Sequence, residues 1–216
     1  MREEVRGLPA YYSVRFEYDR AAITHDTVRR LYAAFAEGGA DFAGGYREDT
    51  ELSLDEIAAV NQSKLENNFM LGFDEHFSHD YRQIVWNYGG FTEVRGFFLN
   101  NEPREGRYVF ELIVPEREMF HRGGHGGWTY KCTAVEALAR LAAGVMRNTG
   151  AAMVQTGLEL DDDYTAAAEF AANGQCNACP FALIRKPLAV YADMTRFECY
   201  ETGDIVRLED RKAVLM

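Results

Sequence analysis

The chain has 216 residues, 47% of them hydrophobic and 26% charged, a composition that can build a folded core and excludes a disordered tail. Lys and Arg total 23 against 34 Asp and Glu, and the resulting net charge of −11 repels phosphate backbones, so direct nucleic-acid binding is not expected. The longest apolar run, over 137–146, is broken by Arg140 and Gly144 and falls short of the roughly 20 residues that span a bilayer. Residues 1–6 carry mixed charge with no apolar run behind them, so no secretion signal and no membrane contact are expected, and the cytoplasm is the expected location.

Tyr12, Val14, Phe16 and Tyr18 alternate with Ser13, Arg15 and Glu17, the period of a half-buried strand. Thr24 stands where a helix cap belongs, and Val28, Leu31, Tyr32 and Phe35 follow as one helical stripe, predicting a helix over 24–37 that ends at Gly38-Gly39. Residues 42–50, with Gly44-Gly45 and several charges, read as a loop. Ser53 and Glu56 have capping-box spacing and open a helix over 53–67 that buries Ile57, Val60 and Leu65.

Three runs rich in β-branched and aromatic residues follow, over 82–88, 92–99 and 107–114, separated by turn sequences; they predict an antiparallel meander across about 82–114. Residues 115–130 form a glycine-rich connection. Thr133 and Glu136 repeat the capping-box spacing before a helix over 133–148, and a strand over 153–160 and a short helix over 162–172 come next. Short strands are predicted over 181–184, 197–201 and 204–208. The expected fold is α+β, an antiparallel sheet with helices packed on one face. It is expected to form one domain over 1–216, with two subdomains, 1–115 and 131–216, as the alternative.

Cys176-Asn177-Ala178-Cys179 is the most specific motif. Two thiols at this spacing close a small disulfide ring or offer two adjacent ligands to a soft metal ion. A thioredoxin-type site needs a helix start after the pair, whereas Pro180 and a β-like run follow. A zinc site needs further ligands, for which Cys132, Cys199, His121 and His125 are the candidates. Zinc is the one cofactor this pattern suggests, and two ordinary turn cysteines are the plainer reading. Because they sit in a turn, Cys176 and Cys179 are expected to be the most accessible thiols, with Cys132 opening a helix and Cys199 lying in a strand.

His76 and His79 have the spacing of a ligand pair but lack the helical His-Glu-x-x-His context. The run Gly123-Gly-His-Gly-Gly127 precedes a helix yet matches neither phosphate-loop pattern, and reads as a flexible connection or a lid over a pocket. Asp161-Asp162-Asp163 lacks the alternation of a calcium loop and reads as helix capping. Aromatics are dense from Phe69 to Phe120; alternate members belong to a core, and because Phe97 with Phe98 and Val109 with Phe110 are apolar on both parities the second face is expected to be covered too, with a partner- or ligand-binding face as the alternative.

Three readings of function follow. The first is a non-enzymatic acidic module that binds a basic protein, as a monomer or homodimer. Inhibitors, immunity proteins and antidefence proteins share its size, acidity and lack of a catalytic signature, an analogy of class and not of residues. The second is a metal- or thiol-dependent protein built on Cys176 and Cys179. The third is a small-molecule enzyme with a pocket under residues 120–128.

Overall fold

In the computed structural model, which describes residues 10–70, 80–100, 106–122, 128–158 and 164–211, the predicted first strand is β1 (Tyr11–Asp19). Its aromatic side lies against α1 (Thr27–Glu37), with Phe16 edge-on to Phe35 at 5.7 Å between ring centroids. The chain continues through β2 (Asp41–Gly45), α2 (Leu54–Glu66), β3 (Ile84–Asn87), β4 (Val94–Leu99) and β5 (Arg107–Pro115). A short α3 (Glu116–Met119) leads into the small hairpin of β6 (Phe120–Arg122) and β7 (Trp128–Tyr130). Then come α4 (Cys132–Thr149), β8 (Met153–Leu158), α5 (Ala167–Asn173), β9 (Phe181–Arg185), a 3-10 turn over Lys186–Tyr191, β10 (Phe197–Thr202) and β11 (Ile205–Asp210).

The strands form one nine-stranded sheet in the order β10-β11-β9-β8-β1-β5-β4-β3-β2, each pair antiparallel. The fold is α+β with the 82–114 meander as expected. Strands from both sides of the 115–130 connection join this one sheet, because β1 pairs with β5 on one flank and β8 on the other. No described helix is long and apolar enough to cross a membrane.

Two apolar cores follow from strand parity. Phe16, Phe110, Val154 and Leu183 face α1, α2 and α4, and Trp86 stacks on Phe35 at 5.5 Å. Met153, Ala182, Ile184, Val206 and Leu208 point the other way, onto Phe170 of α5. Helices therefore cover both faces, α5 serving the β8–β10 half of the second. Fully burying each such large side chain is worth about 1.5–3 kcal/mol.

Several boundaries differ from expectation. Residues 42–50 contain β2, which pairs with β3 through a bulge between Phe42 and Gly44. Thr24 precedes the helix instead of capping it: its amide and hydroxyl bond Thr27 and Asp26, and α1 starts at Thr27. The Ser53–Glu56 capping box forms. The Thr133–Glu136 one does not, because α4 starts at Cys132 and the Glu136 carboxylate lies 2.8 Å from Arg207. Val60 is only half-buried, and α5 begins at Ala167.

Candidate functional site

The second face of the sheet is polar at its centre. Ser13, Arg15 and Glu17 of β1, which alternation assigns to a solvent face, are buried. Arg15 donates from Nε and Nη2 to Glu111 Oε2 at 2.9 and 2.6 Å, and Ser13 Oγ donates to Glu111 Oε1 at 2.7 Å. Glu17 accepts from the Tyr164 hydroxyl and from the Ala167 amide, tying the start of α5 to the sheet. Gln155 accepts from the Asn177 amide and donates to the Thr165 carbonyl, holding the segments on either side of α5. These groups satisfy one another, which marks them as scaffold.

The two open edges of the sheet differ in charge. At the β2 edge, Gly45 leads into a tight 3-10 turn over Arg47–Asp49; a Cβ on Gly45 would sit 2.3 Å from the Asp49 carbonyl oxygen. Arg47 takes the left-handed conformation (φ 56°), rare for a residue with a side chain and typical of strained functional loops. The turn walls a cleft of about 190 Å³ with Tyr46, Glu48 and Asp49 on one side and Asp80, Tyr81 and Gln83 on the other. Arg95 forms part of the lining; its guanidinium lies 4.1 Å from the Tyr46 ring centroid and 5.1 Å from that of Tyr11, with Glu93 3.2 Å from Nε. Arg82 is committed to Asp49 at 2.9 Å. Lys64 donates to the Asp80 carbonyl at 2.8 Å, and burial holds its amine below the ordinary lysine value.

Glu48 on the cleft wall, Asp41 at the start of β2 and Glu51 after the turn are exposed and make no ion pair among the described residues. Asp55 and Glu56, in the first turn of α2, are exposed too; Asp55 lies 3.4 Å from Arg29, a pair open to solvent and therefore weak. At the β10 edge the carboxylates are matched: Glu201 with Lys186 at 2.6 Å, Glu198 with Arg211 at 2.8 Å, Glu209 with Arg207 at 2.8 Å, and Asp204 with Arg185. The β2 end is where negative charge is left over.

The cysteines and histidines singled out in the sequence are placed as follows. Cys176 is buried beside Phe170 and Phe197, 3% exposed, and burial pushes its thiol up to about 12. The expectation that it would be among the most accessible thiols is thus corrected: the turn that holds it is folded under the second core. Cys179 is half-buried, its carbonyl accepting from the Tyr12 hydroxyl at 2.9 Å. Cys132 is exposed at the first position of α4, and Cys199 is half-buried on β10, its Sγ 3.5 Å from Met194 Sδ. His121 is exposed on β6, while His125, the glycine run around it, the His76/His79 pair and Asp161–Asp163 lie outside the described residues. Among the described residues no group of three or more His, Cys, Asp or Glu is placed to hold a metal ion. Sequence reasoning missed Tyr46, Asp49, Asp80 and Arg95 as a group, because it saw residues 42–50 only as a loop. The signal present was the density of acid over 41–56 against Arg47 alone.

No family model and no curated protein matches this chain. Among solved structures, it is similar to a Pseudomonas aeruginosa T6SS protein with a TM-score of 0.37 and 12% identity, over 93% of this chain and 68% of that one. A likeness of that size carries no argument about fold or function.

Proposed function

We propose that the chain is a non-enzymatic protein-binding module of the inhibitor, immunity or antidefence kind, which engages a basic partner through the acidic, tyrosine-lined end at β2. The observation that carries the reading is the segregation of charge: carboxylates are matched by cations at the β10 edge and left in excess at the β2 edge. Opposite charge accelerates encounter and fixes orientation. Within the cleft Arg95 already covers the Tyr46 ring and Arg82 holds Asp49, so the carboxylates that would meet a lysine or arginine of that partner are the exposed Asp41, Glu48 and Glu51.

The test is affinity capture from lysate with the native chain and with the variant Asp41→Asn/Glu48→Gln/Glu51→Gln, each at about 0.1 M and about 1 M salt, over which the Debye length falls from about 10 to about 3 Å. The native chain should enrich basic proteins at low salt, with loss at high salt and in the variant. Capture of neutral or acidic proteins that the variant retains would overturn the proposal.

A further inference from the structure

At the opposite end of the sheet, β10 closes onto β11 through the two-residue turn Gly203-Asp204, with Gly203 at φ 68°. In such a hairpin the closing pair Thr202/Ile205 is hydrogen-bonded, and so are Tyr200/Arg207 and Glu198/Glu209. The Arg211 amide donates to the Arg196 carbonyl at 3.0 Å, continuing the same alternation. Cys199 and Glu201 therefore turn their N–H and C=O groups away from β11, and among the described residues β10 has no other neighbouring strand. The Phe197 amide is already given to the Asp193 carbonyl at 2.9 Å.

Exposed apolar side chains occur on β10 and on the segment before it. Val190 is 80% exposed, Met194 57%, Tyr191 50% and Tyr200 48%, and Met194 rests on Cys199. A long open edge with apolar neighbours is a template for another strand. The carboxylates of the β10–β11 hairpin are paired with cations within the chain, so a basic partner finds little excess carboxylate on the hairpin itself. Two copies of a chain of net charge −11 repel each other, and the repulsion is least where the approaching surfaces are neutral.

We infer that this edge self-pairs, β10 of a second copy adding antiparallel across a two-fold axis at Tyr200. Centring the axis on Glu198 or Glu201 would place like charges directly opposite, which destabilises. Centring it on Cys199 would oppose Phe197, whose amide is used, to Glu201. The axis at Tyr200 pairs Cys199 with Glu201 of the second copy, and Glu201 with its Cys199. Each pair exchanges both backbone hydrogen bonds from the groups left open. Tyr200 then meets Tyr200 of the second copy, and Glu198 meets Thr202. The interface is isologous, so association stops at a dimer.

Sedimentation velocity across micromolar to millimolar concentration tests this with the native chain, Tyr200→Lys and Glu201→Pro. The lysine places like charges at the axis. The proline removes an outward N–H and leaves the β11 ladder intact, as edge prolines do. A concentration-dependent dimer is expected for the native chain, and each variant should raise the dimer dissociation constant by about tenfold or more while keeping the native near-UV circular dichroism. A native chain that stays monomeric throughout, or a dimer that survives both variants, would overturn the inference. Because β2 and β10 are opposite edges, failure here leaves the basic-partner proposal standing.

Discussion

Replacing Glu111 with alanine removes the acceptor that holds the centre of the sheet together. Arg15 is 5% exposed and Glu111 4%, and the carboxylate takes two bonds from Arg15 and one from Ser13 across the β1–β5 pair. Deleting one member takes from the enclosed guanidinium the carboxylate that it bonds twice. Breaking a buried pair from one side costs about 3–5 kcal/mol. Whole domains are stable by only about 5–15 kcal/mol, so Glu111→Ala should remove about a fifth or more of the total. The double replacement Arg15→Met/Glu111→Leu removes both charges and should recover most of that loss, since buried pairs exchanged for apolar side chains are often neutral. Urea unfolding followed by circular dichroism, with unchanged denaturant slope, measures Glu111→Ala and the cycle of the native chain, Arg15→Met, Glu111→Leu and the double variant. A cost below about 1 kcal/mol for Glu111→Ala, or a double variant as unstable as the sum of the single ones, would refute the reasoning.

Timed alkylation of the native protein should modify Cys132 first and Cys176 last, since Cys132 is exposed while Cys176 is enclosed and remains protonated at pH 8 with its thiol near 12; equal rates for the two would show the second core to be open. Burial raises the phenol of Tyr81 to about 12 and those of Tyr18, Tyr32 and Tyr108 above their ordinary value near 10. The folded chain thus keeps protons that the unfolded chain gives up above pH ~10, so this stability is complete below that pH and is lost as pH rises through the folded values. The phenolate absorbance of these four should therefore appear together with unfolding, and full titration of all twelve tyrosines near pH ~10 in a folded chain would contradict the burial. Ser53→Ala should cost about 1 kcal/mol by removing the cap on α2, whose Glu56 amide bonds Ser53 Oγ at 3.3 Å; no change in urea midpoint would mean that the capping box contributes nothing.

Strand parity and helix stripes made much of the fold legible. β1, α2 with its capping box, the meander and the inward face of α4 follow from local pattern alone. Apart from the Thr24 cap, which Asp26 and Thr27 displace locally, the failures are places where a distant contact decides. β2 reads as a loop because Gly44-Gly45 and its charges weaken the strand signal, and only pairing with β3 makes it one. Glu136 has capping spacing, yet Arg207 claims it. Ser13, Arg15 and Glu17 look like a solvent face because their partners, such as Glu111 at a sequence separation of 96 from Arg15, cannot be seen locally. Cys176 looks like a turn residue because the aromatic side chains that bury it, Phe170 and Phe197, come from elements on either side. The acidic end was visible only as composition, and its cleft needed β2, the turn after it and residues 80–83 brought together.

Hydrogen exchange of the chain, alone and bound to the basic protein it captures, tests the proposed binding surface most directly. Protection confined to residues 41–56 and 80–83, lost in Asp41→Asn/Glu48→Gln/Glu51→Gln, is the predicted result. Protection centred elsewhere, with 41–56 exchanging as in the free chain, would contradict it.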